Sequence, residues 1–108
     1  MQALGPSGDL ELDRSRCQVW LKGLELQLTA TEFRLLEFLM GRRGAVYTRS
    51  QLLDAVWGHD RVVTERTVDV YILRLRQKLE DDPERPHFIR SVRGFGYSFQ
   101  EEAARANT

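Results

Sequence analysis

A run of arginines follows the outer side of a helix that the sequence predicts between Thr64 and Leu79. Apolar residues at steps of three or four give this helix one buried stripe, formed by Val68, Ile72, Leu75 and Leu79. At about 100° per residue, the opposite side and its flank carry Arg66, Thr67, Val70, Leu73, Arg74, Gln77 and Arg76. A guanidinium group donates two parallel hydrogen bonds to a guanine edge. The polar side is therefore free to bind a partner, and the major groove of DNA is wide enough to admit such a helix.

A second basic element lies between two short β-type runs, in the segment Arg93-Gly94-Phe95-Gly96-Tyr97. Its two glycines permit backbone angles and close approaches that a β-carbon hinders. The segment predicts a tight hairpin with Arg93 at the start of the turn. Many hairpins contain Arg-Gly-x-Gly, so this motif alone does not define a function.

The charged residues are unevenly distributed, although the 108-residue chain has a formal net charge of zero. Residues 61–79 carry five basic and two acidic side chains, and residues 87–99 carry two arginines. Acidic residues dominate 1–13 and 80–86. Nucleic-acid binders are usually basic overall. We therefore expect a single copy to attract phosphates weakly and to need base contacts or a second copy.

The residue types do not suggest catalysis or metal binding. The chain has one cysteine, Cys17, and two histidines, His59 and His87, at unrelated positions. No Ser/His/Asp or Cys/His set is plausibly spaced, and no glycine-rich loop precedes a helix. We expect no enzyme activity, no metal and no cofactor, and we interpret Cys17 as a small strand residue.

Length and hydropathy favour one cytoplasmic domain. A composition of 42% hydrophobic and 30% charged residues suits a single soluble core. No apolar run approaches the roughly 20 residues that span a bilayer, and the N-terminus lacks the features of a signal peptide. Gly5-Pro6-Ser7-Gly8 is typical of a linker, so residues 1–8 are predicted to be a linker remnant.

Strand-like alternation follows this linker. The alternating apolar residues are Leu10, Leu12, Cys17, Val19, Leu21, Leu24, Leu26 and Leu28. Lys22-Gly23 stands where a two-residue hairpin turn belongs. These features predict a small antiparallel sheet with one buried face.

Three helices are predicted after the sheet. Thr29-Ala30-Thr31-Glu32 has the form of a capping box, and a helix with its apolar face at Phe33, Leu36, Leu39 and Met40 should run to Gly41–Gly44. A second capping box at Thr48–Gln51 begins a short helix that Gly58 ends. Thr64 is the predicted N-cap of the third helix, which ends at Glu80-Asp81-Asp82-Pro83. Asp81, Asp82 and Glu84 are interpreted as a solvated turn, although they could also pair with arginines of a neighbouring copy.

The order and spacing of these segments resemble the OmpR/PhoB-type output domain of two-component response regulators. The resemblance rests on the segments 28–33, 52–57, 66–79 and 92–97 and covers residues 9–99. It implies an α+β fold, a winged helix-turn-helix with an N-terminal four-stranded antiparallel sheet, three helices and a C-terminal β-hairpin wing. The domain is expected to occupy residues 9–100, with a tail at 101–108.

The resemblance also implies roles for the exposed helix and the hairpin. The third helix would read promoter DNA in the major groove, with Arg74 as the first choice for base contact and Arg66 nearer to phosphate. Val70 and Leu73 would contact thymine methyl groups, although relatives often carry a basic residue in place of Leu73. Arg93 would enter a narrow, A·T-rich minor groove, whose negative potential attracts arginine.

Two further residues, Ser91 and Trp57, match positions near phosphate in the family. Two interpretations fit Tyr97, which either packs on the third helix or offers its hydroxyl to a phosphate. Trp57 fits a core position better than a phosphate contact.

The family also implies partners. Residues Gly58, His59, Asp60, Arg61, Val62 and Val63 match a loop that contacts RNA polymerase. A phosphorylatable receiver domain would precede this chain, and a second copy would bind head to tail on direct repeats of DNA.

A protein-interaction module with the same fold is the main alternative. The zero net charge and the apolar Val70 and Leu73 favour it. Since DNA binding weakens steeply with salt, salt dependence separates the two functions.

Overall fold

A computed structural model describes residues 9–59 and 62–100. The predicted linker at 1–8, the predicted tail at 101–108, and Asp60 and Arg61 of the predicted polymerase loop lie outside the described residues. Helices and strands follow in the order β1(Leu10–Asp13), β2(Gln18–Leu21), β3(Leu24–Glu25), α1(Ala30–Met40), β4(Val46–Tyr47), α2(Arg49–Trp57), α3(Glu65–Leu79), β5(Ile89–Val92) and β6(Gly96–Phe99).

The N-terminal sheet is antiparallel, with strand order β1-β2-β3. Leu10 pairs with Leu21 and Leu12 with Val19, which turns Leu10, Leu12 and Val19 into the core. The β2–β3 connection confirms the predicted two-residue turn, because Lys22 and Gly23 both have positive φ, at 52° and 81°.

Three expectations for this sheet were wrong. Its described residues form three strands rather than the expected four. Leu26 N donates to Val19 O at 2.8 Å just after Glu25, and from there the chain leads to the cap of α1. Cys17 is an exposed turn residue with φ 54°, not a strand residue. The Asp13 carboxylate accepts hydrogen bonds from Ser15 N and Arg16 N, which extends the turn up to Gln18. Leu24 lies at the sheet edge and is exposed.

Both predicted capping boxes are present. The Thr29 hydroxyl accepts from Glu32 N at 3.2 Å, and Thr29 N donates to the Glu32 carboxylate at 2.9 Å. In the second box, the Thr48 hydroxyl accepts from Gln51 N at 3.0 Å, and Thr48 N donates to the Gln51 side-chain oxygen at 2.8 Å. Gly58 ends α2 with a φ of 70°. These local hydrogen bonds satisfy helix amides that have no partner within the helix.

The third helix runs from Glu65 to Leu79, with Thr64 at the N-cap as expected. The Thr64 side chain makes no capping hydrogen bond among the described residues. All four residues of the predicted stripe, Val68, Ile72, Leu75 and Leu79, are buried. They pack against the apolar sides of α1 and α2 and fix which side of α3 remains outward.

The C-terminal strands form a three-stranded sheet, in the order β4-β6-β5, rather than the hairpin alone. In the added strand, Val46 pairs with Ser98 and Tyr47 with Tyr97. A two-residue strand has no alternation pattern to detect, and its partner lies some fifty positions away. The β5–β6 hairpin, called the wing below, is therefore anchored on β4 at its base.

Candidate nucleic-acid interface

The outward side of α3 carries the residues predicted from the helical spacing. Arg66, Val70, Leu73, Arg74 and Gln77 are exposed, and Thr67 is partly exposed. Val70 and Leu73 leave 41% and 51% of their surface accessible, which is high for large apolar side chains. The face is therefore mixed, with arginines around two apolar contacts.

The Arg74 guanidinium lies over the Tyr71 ring, with Cζ 4.8 Å from the ring centroid. Tyr71 in turn meets Trp57 edge to face at 5.3 Å. Trp57 is partly buried and packs against the hydrophobic core. The Arg74 guanidinium thus stacks on a ring that is itself packed against Trp57, while the Arg74 side chain stays exposed.

The wing presents Arg93, Gly94 and Phe95 at its tip, all exposed. Phe95 N donates to Val92 O at 2.9 Å, and Gly94 has a φ of 84°, so the turn is tight. Phe95 leaves 69% of its surface accessible beside Arg93. Sequence reasoning did not select Phe95, because one aromatic residue between two glycines carries no periodic signal.

Gly96 meets the backbone of β4 at close range. A β-carbon at this position would lie 2.0 Å from Tyr47 O and 2.9 Å from Thr48 Cα. Both neighbours are backbone atoms and cannot move away cheaply. The second glycine of the motif therefore allows the wing to pack against β4.

Arg76 joins α3 to the wing. Its Nε donates to Ile89 O at 3.0 Å and its Nη2 to Ser91 Oγ at 2.9 Å. The guanidinium also lies over the Tyr97 ring, at 5.6 Å from the centroid. Burial lowers the pKa of Arg76, but a guanidinium stays charged at any physiological pH. Two of the predicted site residues, Arg76 and Ser91, thus bond to one another.

Tyr97 packs on α3, which is the first of its two interpretations. Its hydroxyl donates to Asp69 Oδ1 at 2.6 Å. Burial and the hydrogen bond to Asp69 raise the pKa of Tyr97 to about 12. The phenol is therefore protonated, and its hydroxyl uses that proton in the hydrogen bond to Asp69.

An open groove of about 470 Å³ separates the wing from the N-terminal ends of α2 and α3. Arg49 and Glu65 lie along one side, and Arg93, Phe95 and Tyr97 along the other. Arg49 was absent from the predicted site because α2 showed no basic face. Its position follows from the packing of α2 across α3, which no local pattern reports.

The described part of the loop after α2 consists of Gly58, His59, Val62 and Val63. His59 and Val62 are exposed, whereas Gly58 and Val63 are partly exposed.

The acidic turn after α3 begins with one buried residue. Asp81, Asp82 and Glu84 are exposed as expected, but Glu80 is buried. Its carboxylate accepts hydrogen bonds from the backbone N–H groups of His87, Phe88 and Ile89 at 2.7–3.0 Å. Glu80 thereby connects the end of α3 to the start of the wing.

In residues 9–59 and 62–100, His, Cys, Asp and Glu form no group of three that could hold a metal ion. The same residues include no helix with the length and hydropathy needed to cross a membrane.

Three helices, a β-hairpin beside the third, and an exposed basic helix face define a winged-helix domain. The sequence profile of the family described as "Transcriptional regulatory protein, C terminal" matches residues 23–99. The chain belongs to this family, and its fold is that of the OmpR/PhoB-type domain, which confirms the resemblance drawn from its motifs.

Individual relatives agree with this assignment. The phosphate regulon transcriptional regulatory protein PhoB of Rhizobium meliloti is 56% identical over 93 residues, which cover 86% of this chain and 40% of that protein. The response regulator DrrB of Thermotoga maritima, an OmpR/PhoB homologue, superposes with a TM-score of 0.85 at 40% identity, covering 92% of this chain and 44% of DrrB. The chain thus spans less than half of either relative.

A smaller solved domain matches over nearly its whole length. The DNA-binding domain of RstA from Klebsiella pneumoniae, solved in complex with the RstA box, is 34% identical with a TM-score of 0.84. The match covers 94% of this chain and 99% of the RstA domain.

Proposed function

We propose that this chain is the DNA-binding output domain of a response regulator and binds double-stranded promoter DNA in a sequence-specific manner. The carrying observation is that two basic elements, the outward face of α3 and Arg93 on the wing, are both exposed, with the wing lying beside the N-terminal ends of α2 and α3 across one groove. The complex of the RstA domain with its DNA box supports this function.

The dimensions of α3 suit a major groove. Its 15 residues make a rod of about 22 Å with one side free of the core. Arg74 is exposed on the outward side and is assigned to guanine O6 and N7, while Arg66 in the first turns is assigned to phosphate. The exposed Val70 and Leu73 are assigned to thymine methyl groups.

The wing is assigned to the adjacent minor groove. Arg93 stands at the exposed turn, and A·T-rich minor grooves attract arginine through their narrow width and negative potential. Ser91 and Arg76 face each other at the base of the wing, and the Arg76 guanidinium keeps donors beyond the two it uses within the protein. Those donors are assigned to phosphate between the two grooves.

The further parts of the regulator are also proposals. A receiver domain upstream of residue 9 fits the greater length of the PhoB and DrrB relatives. RNA polymerase is assigned to the loop at 58–63, where His59 and Val62 are exposed. A second copy is assigned to a neighbouring repeat on the same DNA.

A protein-interaction module is the second candidate function. The exposure of Val70, Leu73 and Phe95 favours it, since apolar side chains are typical of the centre of protein interfaces. It predicts binding that changes little with salt, whereas counterion release makes DNA binding fall log-linearly with salt.

The test is selection of bound duplexes from a random pool, followed by titration of the best duplex at several salt concentrations. We expect one enriched sequence and a steep salt slope. Arg93→Ala should weaken binding most on A·T-rich flanks, while Arg34→Ala, an exposed arginine on α1, should have little effect. No enriched sequence, or a flat salt dependence, would contradict the proposal.

A further inference from the structure

We infer that Asp69 is a positioning residue that fixes the wing relative to α3 through Tyr97, so that the helix and Arg93 enter adjacent grooves in register. This inference rests on the proposed DNA binding. Asp69 was no part of the predicted site, although the helical spacing places it on the same flank as Arg76.

Asp69 holds two other elements at once. Its Oδ1 accepts the Tyr97 hydroxyl of β6 at 2.6 Å and lies 3.2 Å from Arg49 Nε of α2. A second atom of the same guanidinium, Arg49 Nη1, lies 3.9 Å from Glu65 Oε1 in the first turn of α3. One carboxylate therefore links α2, α3 and the wing.

A second attachment lies two turns further along the same flank of α3. Arg76 is seven residues after Asp69, or about 10 Å along the helix axis, and holds Ile89 O and Ser91 Oγ of β5. Asp69 thus binds β6 and Arg76 binds β5. Two attachments at different heights resist both sliding and rotation of the wing along α3.

The charges around Asp69 explain why an acid is tolerated beside a DNA-binding face. Arg49 compensates the carboxylate, and Tyr97 donates a hydrogen bond to it. The interaction is charge-assisted, which makes it stronger than a bond between neutral groups. In this arrangement the Tyr97 hydroxyl uses its one proton in the hydrogen bond to Asp69. A positioning role for the hydroxyl and a direct contact with phosphate therefore predict different effects when the hydroxyl is removed.

A double-mutant cycle between Tyr97→Phe and Arg93→Ala separates these roles. Affinity is measured by fluorescence anisotropy on the best duplex that the wild-type chain selects from a random pool. We expect Tyr97→Phe to weaken binding about five- to tenfold in the wild type. In the Arg93→Ala background the loss should be under about twofold, because the wing then has no groove contact left to place.

Variants of Asp69 supply the conservative comparison. Asp69→Ala should weaken binding as Tyr97→Phe does and add little to it, whereas Asp69→Asn keeps an acceptor for the hydroxyl and should retain more affinity. Thermal unfolding of each variant checks the fold. Asp69→Ala should also lower the pKa of Tyr97 in a spectrophotometric titration, a readout that does not depend on DNA.

Two results would overturn the positioning role. Equal losses from Tyr97→Phe in both backgrounds would show that the hydroxyl contacts phosphate directly. No loss in either background, with wild-type affinity intact, would show that the wing needs no such attachment. Failure of the wild-type chain to select any duplex would instead refute the proposed function, and the positioning role with it.

Discussion

Lys78 Nζ lies 2.7 Å from Glu32 Oε1, and this ion pair joins the last turn of α3 to the first turn of α1. The same oxygen accepts Thr29 N, and Lys78 also donates to Gln27 O at 2.8 Å. Burial alone would raise the pKa of Glu32, but the hydrogen bonds from Lys78 and Thr29 outweigh it and hold the pKa below its ordinary value. The cap of α1 and the end of α3 are therefore stabilised by one carboxylate.

Lys78→Met should lower the free energy of unfolding by about 1–3 kcal/mol near neutral pH, because it leaves the Glu32 carboxylate buried without its cation. The folded pKa of Glu32 is depressed, so this contribution is present above the unfolded pKa and is lost as pH falls through the folded pKa. Urea unfolding of wild type and variant at several pH values measures the difference.

Lys22→Met is the matched control for that series. Lys22 lies 3.9 Å from Asp81 with both side chains exposed, and such pairs contribute less than about 1 kcal/mol. A Lys78→Met deficit that stays constant down to acidic pH would show that lost packing, and not the ion pair, causes it.

Gly96→Ala should destabilise the domain by more than about 3 kcal/mol, since the new methyl group would overlap Tyr47 O and the strain cannot relax without separating the wing from β4. Gly94→Ala is the matched comparison. Gly94 also has a positive φ, at 84°, but nothing lies within 4 Å of the added β-carbon, so the expected cost is only about 1–2 kcal/mol.

Thermal unfolding of the two alanine variants tests this difference. Equal melting temperatures would mean that backbone angle, and not close approach, explains why the second glycine of the motif is needed.

The domain should lose stability in alkali, because the Tyr97 hydroxyl then ionises. Its pKa is raised to about 12 in the folded state against about 10 in the unfolded state, so the folded chain holds this proton more tightly. The contribution is fully present below pH 10 and is lost as pH rises from about 10 to 12. In urea unfolding, the free energy of unfolding of the wild type should fall more steeply than that of Tyr97→Phe between about pH 10 and 12. Parallel wild-type and variant curves would contradict the assignment.

The features predictable from sequence are those whose signal is local. Both capping boxes, the Lys22-Gly23 turn and the apolar stripe of α3 depend on residues within a few positions of each other. The stripe alone determines which residues of α3 face outward, so the exposed helix face was predictable before the fold was known.

The features that escaped prediction depend on contacts between distant segments. Val46 and Tyr47 become a strand only because β6 pairs with them, and Glu80 becomes buried only because the chain returns at His87–Ile89. The Asp69 contacts join three elements that no periodicity connects. The outward face of the site could therefore be predicted from spacing along the chain, whereas the attachments that position it depend on tertiary packing.

Arg74→Ala should remove about 1–3 kcal/mol of discrimination at one or two base pairs, because it would delete the proposed two-hydrogen-bond contact to guanine while leaving the core stripe intact. The fold should survive, since the contact of Arg74 with Tyr71 is at the surface and worth about 0.5–1 kcal/mol. Affinity for the selected duplex is compared with affinity for a scrambled one. An equal loss on both would place Arg74 on phosphate.

The charge distribution argues for two copies on one DNA. Residues 61–79 and 87–99 carry five net positive charges together, balanced by acidic residues elsewhere in the chain. Such a domain gains little from non-specific attraction to phosphate, so a single half-site should be bound weakly. A neighbouring copy on the same duplex raises the effective concentration of the first.

Two copies arranged head to tail should bind direct repeats whose centres are about one helical turn, roughly 10–11 base pairs, apart. The isolated domain should be monomeric in sedimentation, yet bind a two-repeat duplex more tightly than a single repeat. Inserting about 5 base pairs turns the second copy to the opposite side of the helix and should abolish the gain, whereas about 10 should restore part of it. Unchanged affinity after the shorter insertion, or a stable dimer of free domains on an inverted repeat, would exclude the tandem arrangement.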